Sequence, residues 1–187
     1  MERQIRFISS NEHKIAEATS ILAEVGIDVL PLAHKIEELQ TEDATRLVRA
    51  KALAAFDIVR APVFVEHTGL SLNHLNGFPG GLTQIFWDSL KEDRFAELFG
   101  TTSDPSVIAR TTIGYIDGRL FHPFEGECAG RIIEPPPRGE RGFQWDCVFQ
   151  PDGHSETFAE MGMSRKNEIS MRRIALDRFA DYLRDEQ

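Results

Sequence analysis

The amino-acid sequence predicts an α/β protein built on a mixed sheet with flanking helices. In the first third of the chain, short apolar segments alternate with segments whose apolar residues recur at helical spacing. This order is typical of βαβ units with parallel strands. In the middle, two apolar segments flank Asp117-Gly118, a dipeptide common in two-residue hairpins between antiparallel strands. The sheet should therefore contain both parallel and antiparallel strands.

The first third of the chain contains three predicted strands, which are residues 5–8, 29–32 and 62–66. A first helix follows Ser9-Ser10-Asn11, and its apolar residues begin at Ile15 and end before Gly26. A second helix begins after the polar residues 41–43 and carries apolar residues over 47–58. Ligands on such sheets gather at the carboxyl ends of strands, where the polar segments of this region fall.

The rest of the chain contains the predicted hairpin, a loop and a closing helix. Residues 111–116 and 120–122 form the hairpin strands, and residues 148–149 are a further short apolar stretch. Three consecutive prolines at 135–137 predict a loop. An amphipathic helix begins at Ser170, and its apolar residues are Ile174, Leu176, Phe179, Tyr182 and Leu183.

Length and charge limit the class of protein. With 187 residues, of which 41% are hydrophobic, the chain can bury one substantial core. No repeat or low-complexity linker divides it, so residues 1–187 are predicted to form a single domain. The net charge of -9 argues against binding of polymeric nucleic acid, which requires a basic surface. A small nucleotide remains compatible, because a few local cations suffice to bind it.

Cysteine content and apolar runs bear on the cellular compartment. Cys128 and Cys147 are the only cysteines, and no charged, apolar leader precedes Ile5, so neither a disulfide scaffold nor secretion is predicted. No run approaches the roughly 18 apolar residues of a membrane span. The simplest expectation is a cytoplasmic protein that contacts no membrane.

Two polar clusters in the first third carry candidate phosphate and metal chemistry. Residues 9–14 lie where a strand gives way to a helix, whose N-terminal amides attract phosphate, with Lys14 as a counter-charge. An ordinary helix cap explains Ser9-Ser10-Asn11 equally well. Residues 37–43 contain four carboxylates, which Mg²⁺ prefers as ligands. A solvated acidic loop is the alternative, and Lys51 is either a phosphate ligand or a solvated lysine.

Two further clusters point to a pocket for a flat ligand. Residues 65–70 end a strand and precede a glycine-rich turn at 76–81. Glycines of this kind let the backbone approach a ligand closely, but the needs of a tight turn explain them equally well. Residues 142–146 and 166–172 combine aromatic rings that can stack on a purine with charged groups that can read its edge. Taken alone, such aromatic residues more often belong to the core.

The order of these clusters resembles the inosine/xanthosine triphosphate pyrophosphatase family from end to end. Members carry Thr-Gly-Asn-x-x-Lys-x-x-Glu, similar to residues 9–17 here, then Glu/Asp-Asp-Ser/Thr-Gly-Leu, similar to 66–70, and Gly-x-Pro-Gly, similar to 77–80. Their Gly-Phe-Gly-Tyr/Trp-Asp-Pro-x-Phe-x-Pro-Asp-Gly segment is similar to residues 142–153. Their Thr-x-Ala-Glu-Met and Lys-Asn-x-x-Ser-His-Arg segments are similar to residues 157–161 and 166–172.

This resemblance implies an elongated, two-lobed α/β fold with a nucleotide in the central cleft. It also implies hydrolysis of ITP, dITP or XTP to the monophosphate and pyrophosphate by a metal-activated water, with Mg²⁺ as cofactor and a homodimer as assembly. Carried over to this chain, the catalytic residues would be His67, Glu38 and Lys14. The metal would be approached by Glu38, Glu66 and His67. The substrate would be held by Ser9, Asn11, Lys14, Lys51, Thr68, Gly69, Phe143, Trp145, Asp146, Lys166, Ser170 and Arg172.

The largest departure from the family pattern is His67, which stands where members have the second acidic residue of the strand-end motif. Imidazole is a poor Mg²⁺ ligand but a competent base near neutral pH. Adjacent strand residues point to opposite faces, so Glu66 cannot take over unless the strand end bends. Three interpretations follow: His67 is the general base while an acidic-loop carboxylate holds the metal, the site takes a softer ion such as Mn²⁺, or catalysis is largely lost.

Three smaller departures bear on the ligand. Met171 replaces a histidine and Gln144 replaces a glycine beside the aromatic residues, which leaves the accepted purine open. Ser10 also replaces a glycine, and its Cβ would narrow the loop if that position needed a positive φ. Two rival functions therefore remain, a nucleotide-binding sensor with little turnover and a pyrophosphatase for a different modified or pyrimidine nucleotide.

Overall fold

Three parallel strands and two helices form the N-terminal part of the computed structural model, which describes residues 3–185. Strand β1 (Arg3–Ile8) pairs with β2 (Ile27–Leu32) and β3 (Val63–Leu72), while α1 (Glu12–Ala23) and α2 (Ala44–Val59) connect them. The predicted alternation of strands and helices is confirmed. Both helices begin at side-chain caps, since Asn11 accepts a hydrogen bond from the Lys14 amide and Asp43 accepts one from the Arg46 amide.

The remaining elements extend the same sheet and cover it. They are β4 (Pro79–Gly80), α3 (Thr83–Phe99), β5 (Ser106–Ile116), β6 (Phe121–Ile132), β7 (Phe149–Pro151), α4 (Phe158–Ile169) and α5 (Met171–Asp185). The strand order is β2-β1-β3-β5-β6-β7, with β4 paired to β3, and every pairing after β1–β3 is antiparallel. The predicted mixed sheet is therefore confirmed.

The hairpin differs from the prediction in its loop and in its length. Ile116 pairs with Phe121, so the loop has four residues rather than two, and β6 begins one residue later than expected. The Asp117 carboxylate accepts hydrogen bonds from the amides of Arg119 and Leu120, which holds the wider turn. Both strands are also far longer than predicted, because their pairing across the sheet continues beyond the local apolar pattern.

Two helices, α3 and α4, were not predicted from the sequence. Each contains one residue with left-handed backbone, Lys91 in α3 (φ 57°) and Gly162 in α4 (φ 71°). These kinks divide each helix into short segments, and helical periodicity needs about ten or more residues to be recognised.

The core has three parts, which fits a two-lobed arrangement. On one face of β1 and β3, α1 and α5 pack over strand residues such as Phe7, and α5 contributes Phe179 to this cluster. On the other face, α2 packs over Val65. A third cluster surrounds Phe95 and Phe149, where α3 and α4 cover the far ends of the long antiparallel strands. Within residues 3–185, none of the helices combines the length and the apolar composition needed to cross a bilayer.

Candidate active site

A cavity of about 540 Å³ lies at the carboxyl ends of β1 and β2 and beside the middle of β3. Its walls come from the β1–α1 loop, residues 34–38 at the start of the acidic loop, and Lys51 of α2. The middle of β3 and the start of α3 complete them. This large cavity has the size of a small-molecule site and the position that parallel strands favour for a ligand.

The β1–α1 loop is both a helix cap and a wall of the large cavity. The Ser9 hydroxyl accepts a hydrogen bond from the Asn11 amide at 3.1 Å, and the Asn11 side chain accepts one from the Lys14 amide at 3.2 Å. The two interpretations of this segment are thus compatible. Ser10 is not among the described residues with positive φ, so its Cβ is accommodated without strain.

One face of β3 presents a buried carboxylate, Glu66, to two cations. Lys14 Nζ lies 3.0 Å from Glu66 Oε1, and the Arg172 guanidinium donates to both carboxylate oxygens at 2.7 and 3.1 Å. Burial alone would raise the pKa of Glu66, but the charges of Arg172 and Lys14 outweigh it and hold that pKa well below its usual range. Burial lowers the pKa of Lys14, although Glu66 opposes the effect.

The opposite face of β3 presents His67 to the acidic loop. His67 Nδ1 lies 3.6 Å from Glu38 Oε2, while Lys51 Nζ lies 2.5 Å from Glu38 Oε1 and donates to the Glu66 carbonyl at 3.0 Å. Burial would raise the pKa of Glu38, but its interactions with His67 and Lys51 lower it well below the ordinary value. His67 Nε2 is buried and has no hydrogen-bond partner among residues 3–185.

Glycines hold the end of β3 and the acidic loop close together. A Cβ on Gly69 would lie 2.5 Å from the Gly80 carbonyl oxygen, and one on Gly81 would lie 2.3 Å from the Thr41 carbonyl oxygen. The Gly81 amide also donates to the Glu42 carbonyl at 2.9 Å. The glycine-rich turn therefore fixes the loop that carries Glu38, and only glycine permits this approach.

A second, smaller cavity of about 260 Å³ has no lining residue in common with the first. Its walls include His13, Glu17, Phe143, Asp146, Phe158 and Lys166. Lys166 Nζ lies 4.2 Å above the Phe143 ring, a cation–π contact. Phe143 lines the small cavity and the next residue, Gln144, lines the large one, so the two cavities lie on either side of this point of the chain.

A chain of buried ions connects the two cavities. From the large cavity, Lys14 pairs with Glu66 and Glu66 with Arg172; Arg172 then pairs with Glu17, Glu17 with Lys166 and Lys166 with Asp146. Burial raises the pKa of Asp146 even though Lys166 lies 2.6 Å away. Buried charges persist only when paired, so these six groups fix each other's positions.

The structure divides the predicted site residues into four sets. Seven line the large cavity: Ser9, Asn11, Lys14, Glu38, Lys51, His67 and Thr68. Three line the small cavity, Phe143, Asp146 and Lys166, while Glu66 and Arg172 are buried in the ion chain between them. The remaining three, Gly69, Trp145 and Ser170, line neither of these cavities.

Trp145 and Ser170 are buried and do not line the small cavity. Trp145 is only 2% exposed and packs against Phe149 with ring centroids 5.4 Å apart. The Ser170 hydroxyl accepts a hydrogen bond from the Arg173 amide at the junction of α4 and α5. Met171 is likewise buried in the core, so its side chain does not replace a polar group at the small cavity.

Two residues of the site were not singled out from the sequence, Glu17 and Gln84. Glu17 is 3% exposed and joins Arg172 to Lys166. Its spacing of three residues from Lys14 on one helix was a usable signal, because such residues share a face. Gln84 accepts a hydrogen bond from Gln144 at 2.6 Å across the rim of the large cavity, and only the folded chain brings these two residues together.

Comparisons with known proteins agree with this geometry. The sequence model of the Ham1 family matches residues 5–182. An inosine triphosphate pyrophosphatase from Yarrowia lipolytica is 38% identical over 95% of this chain and 94% of its own length. A dITP/XTP pyrophosphatase from Methanopyrus kandleri is 34% identical over 97% of each chain. A solved HAM1 protein from Coxiella burnetii has a TM-score of 0.82 and 25% identity, over 98% of this chain and 99% of that one.

Proposed function

Because this chain belongs to the Ham1 family, we propose that it hydrolyses the non-canonical purine nucleotides ITP, dITP and XTP to the monophosphate and pyrophosphate. One observation carries the proposal: a cavity with lysines and helix N-terminal amides lies beside a smaller cavity that is lined by the half-buried Phe143 ring. The first suits a triphosphate and the second suits a purine. The relatives named for ITP and for dITP/XTP favour this substrate class.

The nucleotide would lie across both cavities. Ser9, Asn11, Lys14 and Lys51 would hold its phosphates, and Phe143 would stack on its base. Asp146 and Lys166 would pair with the polar edge of the purine, and pockets that pair with polar edges discriminate strongly between bases. Trp145, Ser170 and Gly69 would shape the walls without contacting the ligand, because each is engaged in packing or backbone contacts.

The donor groups at the large cavity fit a hard divalent ion held largely by phosphates. Mg²⁺ typically takes one or two carboxylates together with phosphate oxygens and waters. Glu38, which is 30% exposed in the cavity, would supply that carboxylate. Among residues 3–185, no group of three or more His, Cys, Asp and Glu side chains could hold an ion unaided. A bound divalent ion supplies Lewis-acid stabilisation of the charge that develops on the phosphates.

Glu66 and His67 fit such an ion less well than Glu38. Glu66 is 2% exposed and held by Arg172 and Lys14, whereas Glu38, although it also pairs with Lys51, is 30% exposed. The imidazole of His67 would suit a softer ion such as Mn²⁺ better than Mg²⁺. We therefore propose Mg²⁺ with Glu38 as its protein ligand, and Mn²⁺ as the alternative.

His67 would take the proton from the attacking water. Its Nδ1 faces the Glu38 carboxylate, which orients the ring and favours a proton on that nitrogen. Its Nε2 is buried and has no partner among the described residues, so it would be the acceptor once the bound nucleotide brings the attacking water within reach. Lys14 and Lys51 would stabilise the charge that leaves with pyrophosphate.

The test is pyrophosphate release from ITP, with Mg²⁺ and with Mn²⁺, for the natural protein, His67→Asn and His67→Asp. We expect His67→Asn to lower kcat about a hundredfold or more, since the proton acceptor is lost. The exposed His74 provides a matched control, and His74→Asn should retain full activity. A large gain of activity in His67→Asp would show that His67 is not an effective base, and equal turnover of ATP or GTP would contradict the substrate class.

A nucleotide sensor is the second candidate, and the histidine at position 67 is the observation that favours it. Calorimetry with ITP separates the two functions, because tight binding without any product would indicate a sensor. A panel of modified and pyrimidine nucleotides, with products identified by mass, tests the remaining alternative of a different substrate. The homodimer is also a proposal, which sedimentation equilibrium would test, and the cytoplasmic location stays a prediction.

A further inference from the structure

The imidazole of His13 lies against Phe143 at the small cavity. The two ring centroids are 4.9 Å apart and the ring planes are inclined by 49°. His13 is exposed, and both residues line this cavity. Within residues 3–185, the His13 ring contacts the Phe143 ring and makes no hydrogen bond or ion pair.

On α1, His13 lies at the small cavity, whereas its neighbour Lys14 lies at the large cavity. His13 and Lys14 are the second and third residues of α1, and successive helical side chains point about 100° apart. As a result Lys14 lines the large cavity, whereas His13 lines the small one. Beneath both, Glu17 anchors the helix to Arg172 and Lys166.

A purine cannot lie between the Phe143 and His13 rings unless His13 moves. Stacked aromatic atoms lie roughly 3.5 Å apart, so a base between two rings needs about 7 Å between them. The observed distance of 4.9 Å is too short for that arrangement. Rotation of an exposed side chain is fast and needs no movement of the backbone.

We propose that a purine base displaces His13 from Phe143 and then lies between these two rings, so that His13 is a base-contacting residue of this enzyme. The proposal rests on the proposed function and adds a contact that discriminates nucleotides from bare polyphosphates. In the absence of ligand, the same contact covers the aromatic face of Phe143.

Calorimetry with two probes tests this role. Inosine monophosphate reports on the base contact, and inorganic pyrophosphate reports on the phosphate contacts alone. We expect His13→Ala to weaken inosine monophosphate about fivefold, in line with base–aromatic stacking, and to leave pyrophosphate binding unchanged. His13→Phe should restore the affinity, because it restores an aromatic ring, and His74→Ala serves as the matched control at an exposed histidine.

Kinetics provide a second readout. Stacking is the same in the ground state and the transition state, so His13→Ala should raise KM for ITP about fivefold and change kcat by less than about twofold. If His13→Ala binds inosine monophosphate as tightly as the natural protein, the proposal for His13 is wrong while the proposed function stands. If the natural protein itself binds pyrophosphate but no purine nucleotide, both proposals are overturned.

Discussion

Glu66 shows how a single buried carboxylate organises the site. It accepts hydrogen bonds from Arg172 and pairs with Lys14, so it fixes one cation at the large cavity and another in the chain that leads to the small cavity. Its own oxygens are occupied by these partners. We therefore propose that its role is to position Lys14 and Arg172 rather than to contact the ligand.

Replacing this carboxylate should destabilise the protein strongly. Glu66→Gln leaves Lys14 without its counter-charge and Arg172 with Glu17 alone, and breaking a buried ion pair typically costs about 3–5 kcal/mol. Urea denaturation would measure the change in the free energy of unfolding. The exposed Glu168 provides the control, and Glu168→Gln should change that free energy by less than about 0.5 kcal/mol. A small effect of Glu66→Gln would mean that water replaces the missing charge.

At β3, the sequence predicts how side chains point but not what they touch. Alternation along a strand is a local property, and it correctly places Glu66 and His67 on opposite faces. The partner of Glu66 lies 106 residues away in the chain. Such a pairing depends on the packing of α5 against the sheet, which no local pattern contains.

Among the elements, α4 carries Lys166 into the small cavity and depends on its first turn for its start. Thr157 accepts a hydrogen bond from the Glu160 amide, and the Glu160 carboxylate accepts one from the Thr157 amide. This capping box ties the helix to the preceding loop, since the Thr157 hydroxyl also donates to the Arg138 carbonyl.

Loss of this cap should weaken α4 measurably. We expect Thr157→Ala to lower the free energy of unfolding by about 0.5–2 kcal/mol and to speed hydrogen exchange in the first turn of α4. Thr19, which is exposed on α1, is a matched control, because Thr19→Ala removes a hydroxyl that caps nothing. Equal stability of the two variants would show that contacts other than the cap hold the helix start.

Among the α-helices, α3 and α4 are the two that the sequence pattern did not predict. Continuous periodicity identified α1, α2 and α5, whose apolar faces are unbroken. The left-handed residues Lys91 and Gly162 interrupt the pattern in the other two. The sequence therefore indicated Lys166 as a candidate residue of the small cavity without indicating the helix that carries it.

For the whole molecule, the ion chain predicts a loss of stability in acid. Paired cations lower the folded pKa values of Glu17 and Glu66, although burial opposes them, so both contribute fully above their ordinary value of 4.5. That contribution is lost as the pH falls below this value toward the lower folded pKa. Burial raises the folded pKa of Asp146, so protonation of this carboxylate in acid favours the folded state and offsets part of the loss of stability.

The expected result is a free energy of unfolding that is level near neutral pH and falls steeply below about pH 4.5. Urea denaturation at several pH values would measure it. Glu66→Gln should show a shallower fall, because one of the responsible carboxylates is absent. A natural protein that is equally stable at pH 7 and pH 3 would contradict the assignment of the buried charges.

The walls of the large cavity have a consequence for what can enter it. They contain three lysines, Lys14, Lys35 and Lys51, and three carboxylates, Glu37, Glu38 and Asp88, so with neutral histidines their formal charges cancel. The chain as a whole carries a net charge of -9. Such walls can arrange a row of phosphates but cannot neutralise it. The neutralising charge has to arrive together with the nucleotide.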